Sequence, residues 1–378
     1  MLIAVFSKSD VTKKQMKNSH LIRILSVFSP KELRKFKEFV SSPAHNKNKN
    51  VFSLLSYLGK YHPGFPEEKI NKKRVFSKIF NGIKYNDGYL RKIMYSLTKL
   101  AEEYLAITGF RSNIQAVQDT LLQEYSRRNI PGLFIAAYRE ISTAGKVQGL
   151  SSEHFYYSYL RSYRNLAFGA EQKTIDFTKF AKENDLLEPL EYLSAHYYSC
   201  IMNLYEYYIN TQHILAFDID HVYFDTIIGS FDMKLIHKYP LLEVHYNMIK
   251  MLREPDKDDY FSRTKEFITS NRMKIGSLEL ENIYVNLQNY CMRKIRANRN
   301  EYSKDLFEIY RSELERADYS EDKNISVILY RNIVFTALQL GETDFAEKFA
   351  EQYRPFLHPE VAKTNYLYTK AHIALKKK

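Results

Sequence analysis

Tryptophan is absent from this 378-residue chain, and cysteine, glycine and proline are scarce, at 2, 12 and 10 residues. Cys200 and Cys291 are too few for a disulfide framework or a four-cysteine zinc set, which points to a reducing, cytoplasmic setting. So little glycine and proline leaves scant material for the turns of an all-β protein. No stretch approaches the roughly 20 continuous apolar residues that a membrane-spanning helix needs. The opening Met1–Phe6 has no charged region ahead of it and no small-residue cleavage site behind, so it does not read as a secretory signal. Catalytic signatures are missing too. Ala144-Gly145-Lys146-Val147 has the Gly-Lys pair of a phosphate loop, but Val147 stands where Ser or Thr should follow and Glu140 where the first glycine belongs. There is no Gly-x-Gly-x-x-Gly and no nucleophile elbow. The expectation is a protein that is not an enzyme and that needs no cofactor or resident metal.

What is present is unevenly charged. Residues 1–100 hold 21 Lys+Arg against 6 Asp+Glu, a balance of 21 − 6 = +15, whereas the whole chain is +12. A basic head therefore precedes a near-neutral body, an asymmetry that implies two modules with different partners. The composition, 45% hydrophobic and 15% aromatic with 31 tyrosines, is that of a folded protein rich in helix formers.

Residues 1–15 lack periodicity and read as a loosely ordered leader, which makes Met16 a candidate for the natural start alongside Met1. The pattern begins near Leu21. Ser29-Pro30-Lys31-Glu32 announces a helix by a capping box with proline at its first position, and Ser41-Ser42-Pro43 ends it. Further helices follow around Val51–Leu58, Asn71–Phe80 and from Leu90 to Leu105. Residues 16–110 thus read as a basic four-helix domain, and 111–378 as a run of helical hairpins. Expected pairs are 113–128 with 131–144, 152–168 with 171–184, 240–253 with 257–270, 278–297 with 301–316, and 324–340 with 343–357. A long helix is expected at 188–211, an irregular region at 213–239, and a last helix at 361–375. The later pairs start near 240, 278, 324 and 361, a spacing of about 37–46 residues, which is the scale of solenoid repeats.

The series Tyr330, Ile333, Val334, Ala337, Gly341, Ala346, Ala350 and Tyr353 resembles the tetratricopeptide repeat (TPR) pattern. The likeness implies Gly341 at the interhelical turn, and Ala346 and Ala350 where two helices approach closely. Tyr353 is larger and Ala337 smaller than that family prefers, so TPR-like describes the match better than TPR. The stretch Glu32–Pro43, together with Asn289-Tyr290-Cys291 and Asn332-Ile333-Val334, is similar to a group of uncharacterised helical proteins common in Bacteroidota. That resemblance implies a chain starting near Met16 and continuing past residue 378, and it supplies no activity.

Several side-chain groups are candidates for chemistry. His196 and Cys200, four residues apart, share a helix face, but zinc would need two more ligands, and a core pair on a tyrosine-rich helix is the simpler reading. Asp218, Asp220, His221 and Asp225 crowd into eight residues, where a helix cap with solvated carboxylates competes with a metal site. Tyr156, Tyr157, Tyr159 and Tyr163 gather on one helix, and Tyr205, Tyr207 and Tyr208 on another, as joint fillers or as a peptide-binding face. In the head, Lys72, Lys73, Arg74 and Lys78, supported by Arg91 and Lys92, are candidate contacts for nucleic acid or an acidic partner, since lysine-rich surfaces attract phosphate by counterion release. The overall expectation is all-α: a basic helical head followed by a TPR-like right-handed α-solenoid. Its function would be that of a cytoplasmic scaffold or adaptor for a protein or peptide. The alternative is a nucleic-acid-binding regulator (DNA or structured RNA) that uses the head.

Overall fold

A computed structural model of the chain describes residues 15–145, 150–171, 178, 182, 186–215, 221–316 and 324–377. The expected leader, most of the helix expected at 171–184, Lys146-Val147 and Asp218 with Asp220 lie outside the described residues. Every regular element among the described residues is helical. The one β-type pairing among them is an isolated parallel bridge between Leu150 and Ile275. The chain divides between Thr120 and Leu121 into two compact units.

The first unit contains α1 (His20–Ser26), α2 (Pro30–Ser41), α3 (Lys49–Leu58), α4 (Glu67–Ile70), α5 (Lys72–Ile79) and α6 (Asp87–Ser112). Polar caps set the starts. The Ser29 hydroxyl accepts the Glu32 N–H at 3.2 Å while the Glu32 carboxylate accepts the Ser29 N–H at 2.8 Å, closing the capping box of α2. Asn48, Asn71 and Asn86 cap α3, α5 and α6 in the same way, each supplying its side-chain oxygen to a backbone N–H that has no partner within the helix. The apolar stripes then meet: Leu33, Phe36 and Val40 of α2, Leu54, Leu55 and Leu58 of α3, and Leu90, Ile93, Leu97 and Ala101 of α6 are buried together. The unit has two helices more than the four expected. The additions are the seven-residue α1, capped by Ser19, and the single turn α4 after Pro66.

The division falls inside α7 (Ile114–Arg127). The second unit continues with α8 (Pro131–Gly145), α9 (Ser152–Glu171), α10 (Glu188–Leu215), α11 (His221–Gly229), α12 (Met233–Lys238), α13 (Pro240–Arg253), α14 (Asp259–Asn271), α15 (Ser277–Arg296), α16 (Tyr302–Arg316), α17 (Val327–Gln339), α18 (Thr343–Tyr353) and α19 (Pro359–Lys376). The region read as irregular at 213–239 holds two short helices, α11 and α12. Helix α12 is started by Asp232, whose carboxylate accepts the Lys234 N–H at 2.9 Å. Both fell below the length at which a 3.6-residue apolar period is readable.

Three hairpin turns close identically. After α17, Gly341 takes a left-handed backbone (φ +82°), its N–H reaches the Leu338 carbonyl at 3.3 Å, and the Glu342 N–H reaches that of Ala337 at 2.8 Å. Asn298 (φ +65°) does the same after α15, with Arg299 N–H on Lys294 at 2.9 Å. Asn129 (φ +55°) does so after α7, with Ile130 N–H on Tyr125 at 3.0 Å. This is the Schellman closure, which satisfies the last carbonyls of a helix and favours glycine or asparagine. Beyond the Gly341 turn, Ala337, Ala346 and Ala350 are fully buried between α17 and α18, and Tyr330 donates its hydroxyl to the Ala350 carbonyl at 2.9 Å. Tyr353 sits half-buried at the end of that joint, stacked on Phe349 at 4.5 Å.

Candidate interaction surfaces

The head's candidate cations divide into two sets. Lys72 lies 3.2 Å from one Asp87 oxygen, and the Arg91 Nε donates to the other at 2.6 Å. Hydrogen bonds from Tyr85 and Arg91, with help from Lys72, outweigh burial and hold the Asp87 carboxyl at about 2. Arg74 turns its guanidinium toward the Glu68 carbonyl at 3.4 Å. These three are occupied within the head. Lys73, Lys78 and Lys92 are exposed, with no carboxylate partner among the described residues.

A second basic feature lies where no motif pointed. The loop 42–48 folds against α6 and leaves an open groove of about 630 Å³, lined by His45, Lys47, Lys49, Tyr95, Lys99 and Glu103 among others. The loop is held in shape. The Asn46 amide donates to the carbonyls of Val40 (3.0 Å) and Asn48 (3.1 Å) and accepts the Asn48 N–H (2.9 Å). His45 stacks on Phe39 with ring centroids 3.8 Å apart and pairs with Glu103 at 3.1 Å.

In the second unit, the His196 and Cys200 side chains do approach, with Sγ 3.7 Å from Nε2, but they form a joint with α9. The His196 Nδ1 donates to the Ser152 carbonyl at 3.2 Å, and the Ser152 and Ser199 hydroxyls meet at 2.7 Å. His221 and Asp225 converge on Tyr205, whose buried hydroxyl donates to Asp225 at 3.0 Å and lies 3.1 Å from His221 Nδ1. Arg253 holds the other Asp225 oxygen at 2.9 Å. Burial, and then the Asp225 hydrogen bond, push the Tyr205 hydroxyl well above its ordinary range. Among the described residues no group of three or more His, Cys, Asp or Glu side chains is placed to hold a metal ion.

A polar network in the interior centres on Glu206, which is fully buried. Its carboxylate pairs with His245 of α13 at 2.9 Å and accepts from Asn282 at 3.0 Å and Asn286 at 3.2 Å, both on α15. Asn210 continues the network to Asn286 (2.7 Å) and Asn289 (3.0 Å). Three helices are thus tied by polar contacts that only one register satisfies.

Helix α10 carries two apolar stripes back to back. Ala195, Met202, Tyr205 and Ile209 face the core. On the other side Leu190, Leu193, Tyr197, Leu204 and Tyr207 are exposed, Tyr207 by 62% and Leu190 by 61%. Their spacing, 3, 4, 7 and 3 residues, is that of a coiled-coil seam, and they run for about 26 Å at 1.5 Å per residue. Helix α9 adds exposed Tyr156 and Tyr163. The aromatic clusters were legible in the sequence; the seam's exposure was not, because both stripes of α10 are apolar.

Comparison with protein families, with curated proteins and with solved structures gives no match to this chain. No helix among the described residues is long and apolar enough to cross a membrane.

Proposed function

We propose that the chain is a non-enzymatic cytoplasmic scaffold whose C-terminal hairpins stack as a TPR-like right-handed solenoid and hold a partner protein. The observation that carries this reading is the exposed seam of α10. An apolar heptad stripe open to water is the surface an amphipathic helix covers, side chains at every third and fourth position filling the gaps between Leu190, Tyr197 and Leu204. The shared closure of three hairpin turns supports the repeat, since joints of one geometry are what stacking of similar units requires. The unbridged Cys200 and Cys291 suit a reducing compartment.

The test is a paired affinity purification from the native host with the intact chain and with L204K/Y207K, which places charge on exposed positions and leaves the core alone. A photo-crosslinking residue at 204 identifies what lies against the seam. The expected result is a partner crosslinked at 204 and depleted at least tenfold by the double substitution at unchanged helicity. Identical partner sets from both proteins would defeat the reading, and a crosslink between two copies would make the seam a self-association surface.

A further inference from the structure

We infer that the head carries a binding groove for single-stranded nucleic acid, formed by the loop 42–48 against α6. The inference is independent of the scaffold reading. It starts from charge: described residues 15–120 hold 19 Lys+Arg against 8 Asp+Glu, a balance of 19 − 8 = +11. Exposed charge alone only solvates a surface, so the arrangement has to decide. Lys47 and Lys49 stand on the groove's loop side with no carboxylate partner among the described residues. On the helix side Tyr95, Lys99 and Glu103 line the groove, Glu103 being paired with His45, and Lys92 stands one turn before Tyr95 on the same face of α6, at the groove's end. Lys92 is likewise unpaired. Lys99 leans on Glu102 at 2.6 Å and sits 5.6 Å from the Tyr95 ring centre.

Tyr95 is the second element. It is 64% exposed on the wall of a groove whose other side is cationic. Single-stranded nucleic acid is held by this combination, a cationic track along the backbone with an aromatic ring on which a base stacks. A paired duplex hides its base faces and would use only the lysines. A membrane surface would use the lysines without a groove. The site is also preformed: the three hydrogen bonds of Asn46 and the His45 stack on Phe39 hold the lysine-bearing loop before any ligand arrives, which lowers the ordering entropy lost on binding. By contrast, Lys72 and Arg91 share the single carboxylate of Asp87, which offsets one of their two positive charges, so together they release fewer counterions than two free cations would.

The experiment is a fluorescence-anisotropy titration of the full chain at 50 mM salt. The probes are a labelled mixed-sequence single-stranded RNA, its DNA equivalent and the matching duplex, with anionic phosphatidylserine vesicles as a further arm. Three variants are compared: K47E/K49E/K92E, Y95A, and a control, K31E/K35E, that makes a charge change of the same kind on exposed positions of α2. Circular dichroism checks each fold, and K47Q/K49Q/K92Q replaces the reversal should that misfold. Single strands should bind, with the triple variant at least tenfold weaker and its log–log salt slope reduced by about 2, from roughly 0.7 per lost phosphate contact. Y95A should weaken single-strand binding roughly tenfold and leave duplex binding unchanged. No single-strand binding would overturn the inference. So would binding to vesicles alone, an equal loss in the α2 control, or a Y95A variant that binds single strands as the intact chain does.

Discussion

At the scale of single residues, burial separates side chains that composition treats alike. Cys291 is fully buried in the α15 core and burial pushes its thiol far up, whereas Cys200 is half-buried beside His196. A thiol that stays protonated and inaccessible does not react. Labelling with a chromogenic disulfide reagent should therefore modify one thiol, Cys200, in the native state, and Cys291 only on unfolding. Two fast thiols would show that the α15 packing is wrong. Asp258 gives a pH prediction. Burial raises its carboxyl, but hydrogen bonds from Tyr302, Lys294 and Tyr290 prevail and hold it at about 2. A carboxyl depressed in the folded state binds fewer protons than in the unfolded chain, so its contribution is present above the ordinary carboxylate range, near 4, and is lost as the pH falls toward 2. The D258N variant should lose stability at neutral pH and show a flatter acid limb between pH 4 and 2. Denaturant midpoints across that window read it, and parallel limbs for the two proteins would refute the assignment.

At the scale of elements, helix ends were legible and buried polar contacts were not. Ser29, Pro30 and Glu32 spell the start of α2 within four residues, and Gly341 spells a turn, because caps and left-handed positions are local chemistry. The Glu206 network joins residues 39 and 80 apart, and the groove of the head needs Lys47 to meet Tyr95. No periodicity reports such meetings. Two element-level substitutions follow. G341A has open space for its methyl but must hold φ near +82°, so it should cost about 1 kcal/mol through backbone strain alone. A346L overpacks a fully buried contact and should cost about 1–3 kcal/mol. Thermal melts read both, and an unchanged melting temperature for A346L would mean that the α17–α18 joint is not tightly packed.

At the scale of the whole molecule, the chain divides between Thr120 and Leu121 into two compact units, and the basic excess of residues 1–100 lies in the first of them. Among the described residues, the buried cluster around Phe36, Leu54 and Leu97 is built from residues 16–104, and the one around Tyr290, Tyr330 and Ala346 from residues 155–373. Cooperativity follows shared burial, so a cavity in one cluster should leave the other's stability unaltered. Phe36 is fully buried, and F36A should destabilise the head by about 3–5 kcal/mol. With no tryptophan to report on either unit, calorimetry and circular dichroism are the suitable probes. Two unfolding transitions are expected, with F36A lowering one and A346L the other. A single transition moved equally by both substitutions would mean that the units fold as one body.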